Sequence, residues 1–319
     1  MEKKRAIWLG VVLLVIAGGL SWELFCSREP MYDGKPLSFW LECYTAGNRT
    51  ETSMQQADKA LEAIGAKAVP TLISMIQKTD PRWKMKLIRL SRKQHLVKIK
   101  HVPAEEQISV AARGFAMIRG NGKEAVPALI RIFRKDVSET SQKAAVEALG
   151  DIGPAAKDAV PALTEALPKS KGQLAYAMVD TLGAIGPDAR NAVPLLAQSL
   201  PGSKDQMPFL IVAALGDIHS KPEVAVPALS EHLKVSHFES RLFTLAALRR
   251  FGPDAREAVP AIIKMLKEDN QLPQIEEGHV RHEAFETLKQ IDPEAAARTK
   301  AEMDAELRKK LDKARRVVK

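Results

Sequence analysis

Ala148-Leu149-Gly150-Asp151-Ile152-Gly153-Pro154, followed by Ala159-Val160-Pro161-Ala162-Leu163, is one copy of a phrase that the chain repeats. The Ala-Val-Pro prolines fall at Pro127, Pro161, Pro194, Pro227 and Pro260, spaced 34, 33, 33 and 33 residues, with a diverged copy at Pro70. A fixed period of this size means that one supersecondary unit recurs and buries its apolar face only by stacking on its neighbours. Each unit divides in two. The first half ends in an apolar run closed by a small residue, as at Thr181-Leu182-Gly183-Ala184-Ile185-Gly186. The second starts near the proline, and Val160, Leu163 and Leu167 recur at the i, i+3, i+7 spacing of one helical face. Val226, Leu229 and Leu233 repeat that face, as do Val259, Ile262 and Leu266.

The punctuation agrees. Gly153, Gly186 and Gly252 read as helix stops, where a positive φ is needed. Pro154, Pro187 and Pro253 follow them, unable to continue a helix but suited to opening one. The Ala-Val-Pro proline either stands in the first turn of the second helix or kinks a helix begun earlier, and the residues leave both open. Alanines Ala144, Ala145, Ala148, Ala213, Ala214, Ala246 and Ala247 predict closely packed helix axes. The chain is predicted to be all-α, a right-handed superhelical α-α solenoid with an N-terminal transmembrane helix.

The pattern resembles the HEAT-like repeats of bacteria, in particular the short-repeat branch shared with phycobilin lyases, over roughly residues 50–295. The resemblance implies the fold. Such repeats serve as scaffolds, as binding modules and in some cases as enzymes, so it does not by itself select a function.

The 319 residues are 45% hydrophobic but only 5% aromatic, which suits helix stacking and a sizeable core. Net charge is +9 and unevenly placed. Residues 78–101 carry +8, the tail 298–319 carries +5 and residues 1–5 carry +2, so the remainder is about −6. The basic character belongs to appendages and the repeat body is mildly acidic.

In chain order, residues 1–5 form a short positive leader. Residues 6–26 approach the roughly 20 apolar residues that span a bilayer, though Ser21 and Glu23 interrupt them. A cleaved signal peptide competes with an anchor here, but no small-x-small cleavage site follows. The expectation is an inner-membrane, single-pass protein with its body on the outer, periplasmic side, oriented by Lys3, Lys4 and Arg5. Residues 27–50 are a linker and N-terminal cap: a turn over Tyr32-Asp33-Gly34-Lys35-Pro36, then a short helix whose Phe39, Trp40 and Leu41 cover the end of the repeats. The repeats occupy 51–293, interrupted by a basic insertion at 79–102. Residues 294–319 read as an exposed, charge-laced helix. Cys26 and Cys43 either form a bridge or stay reduced.

Four residues past each proline stand Ser74, Arg131, Glu165, Gln198, Glu231 and Lys264. This column is polar throughout, and it is the candidate groove for an unidentified protein or peptide. Its mixed charge argues against a phosphate track. Arg82, Lys84, Lys86, Arg89, Arg92, Lys93, Lys98 and Lys100 form a second candidate, a patch for anionic lipid headgroups or an acidic partner. Trp83 is the only aromatic in that tract, which argues against nucleic acid.

No catalytic residue, cofactor or metal site is expected. His279, His282 and Glu283 share a helical face, but the His-Glu dipeptide of iron-dependent HEAT-like hydroxylases recurs in several repeats and here occurs once. No nucleophile–base spacing or phosphate loop is present, and no residue set carries phycobilin lyase activity over. The leading expectation is a membrane-tethered, non-enzymatic interaction scaffold. The alternatives are a mainly structural envelope protein, or a lyase, isomerase or metal-dependent enzyme on this fold.

Overall fold

The computed structural model of the protein describes residues 29–45, 50–81, 86, 102–135, 138–234, 238–268 and 274–317. The chain divides into two compact units, Met1–Ala68 and Val69–Lys319.

In the first unit, β1 (Met31–Tyr32) and β2 (Lys35–Pro36) pair antiparallel around Asp33-Gly34, both at positive φ, 48° and 69°. Asp-Gly is the residue pair that such a two-residue turn demands. Helix α1 (Leu37–Glu42) follows and packs on α2 (Glu51–Ile64). Leu37, Trp40 and Leu41 are buried, and Trp40 Nε1 donates to the Tyr32 carbonyl at 3.2 Å. Phe39 departs from the expected cap: it is 41% exposed, with Lys35 Nζ 4.3 Å from its ring centroid. Its position on α1 points it away from the face that Leu37, Trp40 and Leu41 share. Thr50 and Ser53 form a reciprocal capping box at the start of α2.

The second unit is a stack of helical repeats. Its first helices are α4 (Ala104–Ile118), α6 (Glu139–Ile152), α8 (Gly172–Ile185), α10 (Met207–Ile218), α12 (Phe238–Phe251) and α14 (Gln274–Ile291). Each packs on the next, forming one row. The second helices are α3 (Val69–Ile76), α5 (Val126–Arg134), α7 (Val160–Ala166), α9 (Val193–Ser199), α11 (Pro222–His232) and α13 (Val259–Glu268). The stripes behave as their period predicts but for one position: Leu163, Leu229 and Ile262 are fully buried, Val160, Leu167, Val226, Leu233 and Leu266 nearly so, and Val259 is only half-buried. Ala213 and Ala246 differ from the other alanines in being only half-buried.

The proline ambiguity resolves by position. After α6 the chain turns at Gly153 (φ 70°), runs as a 3₁₀ segment over Gly153–Ala159, and only then starts α7, with Pro161 in the first turn. The same order holds at Gly186 (φ 74°) and Gly252 (φ 52°). A 3₁₀ segment of one repeat packs against the second helix of the repeat before it, as Gly186–Ala192 does on α7. The unit of α10 and α11 departs. His219 and Lys221 adopt left-handed conformations in place of glycine, and α11 begins at Pro222 with Pro227 inside it.

The insertion leaves and re-enters the stack at one place. Asp80 Oδ2 accepts from the Ala104 N–H at 2.7 Å, capping α4, and Lys78 Nζ donates to Gln107 Oε1 at 2.5 Å. At the far end α15 (Pro293–Val317) is less exposed than its charge suggests. Ala295, Ala296 and Thr299 are buried, α15 packs on α14, and Asp292 Oδ1 accepts from the Ala295 N–H at 2.9 Å.

The membrane placement needs correction. Among the described residues no helix is long and apolar enough to cross a membrane. The longest, α15, has 25 residues but alternates acids and bases along its length. A bilayer span needs about 20 consecutive apolar residues, and in the 6–26 run Ser21 and Glu23 break that continuity. That run lies outside the described residues. The single-pass anchor, and with it the inner-membrane location with a periplasmic body, is not supported.

Candidate functional site

The phase of each second helix determines what faces solvent. Successive residues of an α-helix turn by roughly 100°, so the residue four past the proline lies about 200° from the one two past it. The latter is the buried Leu163 or Leu229. Ser74, Arg131, Glu165, Gln198, Glu231 and Lys264 are accordingly all exposed, one on each of α3, α5, α7, α9, α11 and α13. One position earlier, the hydroxyls are consumed locally: Thr164 Oγ1 donates to the Val160 carbonyl at 2.8 Å and Ser230 Oγ to Val226 at 2.7 Å.

The column is not electrostatically uniform. Glu231 is held by Lys234 at 2.6 Å, and beside Lys264 on α13, Lys267 bridges to Glu302 of α15 at 2.9 Å. Arg131 and Glu165 make no ion pair with any described residue. Glu165 also borders a groove of about 1000 Å³, which sequence reasoning missed. The end of α5, the start of α6, and α7 with its linker to α8 shape it. Phe133 and Ala162 are its buried floor, and Arg134, Glu139, Lys169 and Lys171 stand exposed around it. Gln142 Nε2 donates to the Phe133 carbonyl at 2.9 Å and ties the end of α5 to the start of α6. The only sequence signal was the basic linker Leu167-Pro168-Lys169-Ser170-Lys171, short and outside the periodic positions.

Of the basic tract, Lys86 alone is described, and it is exposed; Arg82, Lys84, Arg89, Arg92, Lys93, Lys98 and Lys100 lie outside the described residues. His279 and His282 are exposed, and Glu283 is engaged by Arg249 at 2.8 Å. Among the described residues no three His, Cys, Asp or Glu side chains gather as a metal-binding group. The most perturbed carboxyl, Asp151 on α6, stands away from the column. Burial pushes it up to about 6, with Glu147 and Asp180 reinforcing the shift and Arg119 opposing it.

The span from Ser141 on α6 through Leu167 just past α7 is one complete unit of the stack. Residues 141–167 match the PBS lyase HEAT-like repeat. The match supports a HEAT-like repeat family, and the HEAT-like unit is then the first helix, the 3₁₀ segment and the second helix. A crystal structure described as an engineered protein, a Northeast Structural Genomics Consortium target, is 17% identical over 81% of this chain and 97% of that one, with a TM-score of 0.42. No curated protein matches the chain.

Proposed function

We propose that this chain is a non-enzymatic interaction scaffold that presents the solvent face of its second-helix row to a protein or peptide. One observation carries the reading: six polar side chains at one phase of six HEAT-like units are all exposed, while the opposite phase is core. Such a row spreads weak contacts over several units, and shape and charge complementarity along it set the choice of partner.

The test is crosslinking capture from native cells with wild type and with an R131Q/E165Q/E231Q/K264Q variant. Loss of the same partner from a variant with unchanged helix content supports the row as the interface. Capture that is indifferent to all four changes removes it.

A further inference from the structure

Some surface charges among the described residues neutralise one another. Lys143 pairs with Glu147, Lys234 with Glu231, Arg249 with Glu283, Arg250 with Asp217, Lys267 with Glu302 and Lys289 with Glu286. The groove beside Glu165 gathers charges that are not paired in this way. Among the described residues it is lined by five charged side chains, Arg134, Glu139, Glu165, Lys169 and Lys171, and none of them forms an ion pair with a described residue. Of these five, three are cations and two are acids. One of the acids, Glu139, sits in the first turn of α6, where the helix dipole already stabilises it.

The walls are preorganised. Gln142 clamps the end of α5, and Ser138 Oγ accepts from the Ser141 N–H at 3.1 Å to close the start of α6. Ala162 and Ala166 keep the α7 side of the groove shallow, and Leu174 adds an apolar edge. A space of about 1000 Å³ exceeds what a single small anion fills and matches a few residues of chain.

We propose that this groove seats an acidic peptide segment of the partner protein. Carboxylates of the segment meet Arg134, Lys169 and Lys171, and an apolar side chain between them covers Leu174 and Ala166. Glu139 and Glu165 repel any carboxylate placed near them, so the groove selects acids spaced apart over an unbroken acidic run. This inference rests on the scaffold reading and names the chemistry of its partner.

The experiment uses the full chain and a fluorescein-labelled ten-residue probe, Gly-Ser-rich, with two glutamates flanking a leucine. Matched probes carry glutamine or lysine at the two acidic positions. Fluorescence anisotropy is read at low and at physiological salt. The expected result is saturable binding of the glutamate probe that weakens as salt rises. Binding falls about tenfold or more with the glutamine probe, and by as much in an R134Q/K169Q/K171Q variant. All three residues are exposed, so the variant keeps its fold, which circular dichroism checks, and K123Q, at an exposed lysine outside both the row and the groove, leaves binding unchanged. Equal binding by all three probes, preference for the lysine probe, tighter binding of a labelled oligonucleotide, or indifference to the triple variant overturns the assignment. If the row variant loses its captured partner while the triple variant keeps it, the groove fails and the scaffold reading stands. If the row variant keeps the partner, the scaffold reading fails first.

Discussion

Gly216 of α10 lies so close to Ala247 of α12 that a β-carbon built on it would stand 3.1 Å from both the Cα and the Cβ of Ala247. Gly183 bears the same relation to the Ala214 Cα, also at 3.1 Å. Glycine here serves closeness between two helix axes, since no positive φ is required. Gly216→Val is therefore expected to destabilise the protein by about 1–3 kcal/mol through overpacking. Gly216→Ala costs less, because gained helix propensity of about 1 kcal/mol offsets part of the contact. Urea titration followed by circular dichroism checks both, and a valine variant as stable as wild type contradicts the packing.

Asp151 gives a pH dependence with a definite sign. Its carboxyl rises from an ordinary 3.8 to about 6 on folding. Between those values the native state holds more protons than the unfolded state, so this group's contribution falls as pH rises through the window. Above it the ionised carboxylate costs on the order of 1–3 kcal/mol, from about 1.4 kcal/mol per pH unit discounted for partial exposure. Asp151→Asn should raise stability by that amount at neutral pH, and the gain should vanish by about pH 4. Denaturation midpoints across the range decide it.

Arg249 and Glu283 are half-buried and join α12 to α14 at 2.8 Å. A double-mutant cycle with Arg249→Gln and Glu283→Gln should give a coupling of about 0.5–1 kcal/mol, falling with salt. A coupling of zero would free Glu283 from this structural duty.

Cys43 is buried and forms no disulfide among the described residues, Cys26 lying outside them, and its Sγ donates to the Phe39 carbonyl at 3.6 Å. Burial pushes its pKa up, with Lys35 opposing and Glu42 adding. In a Cys26→Ser background, alkylation at neutral pH is expected to be slower than for an exposed thiol by about tenfold or more, and to become fast in denaturant. Rapid modification of the native protein contradicts this burial.

Periodic features were legible because stacking imposes them locally. Leu163, Leu229 and Ile262 lie in the core because their spacing from a proline leaves them no other phase. Gly153, Gly186 and Gly252 stop helices because each needs a positive φ. The 3₁₀ segments were not legible. Ala156 and Ala189 are equally good α-helix formers, and packing against the preceding second helix decides the tighter turn. The exposed column was readable from phase alone. The groove was not, because it brings the end of α5 and the start of α6 together with the linker residues Lys169 and Lys171, which lie outside the periodic positions. Phe39 shows the limit of reading burial from residue type: hydrophobicity placed it inside, and its position on α1 placed it in water.

The bond from the Ala104 N–H to Asp80, which caps α4, and the side-chain bond from Lys78 to Gln107 pin both stems of the insertion to one spot. Both bonds use stem residues alone, so the interval between the stems is where a change of length leaves the downstream register intact. Its length and composition can drift or be exchanged while every downstream unit keeps its register, so a lineage can change what this site offers without rebuilding the stack that holds it.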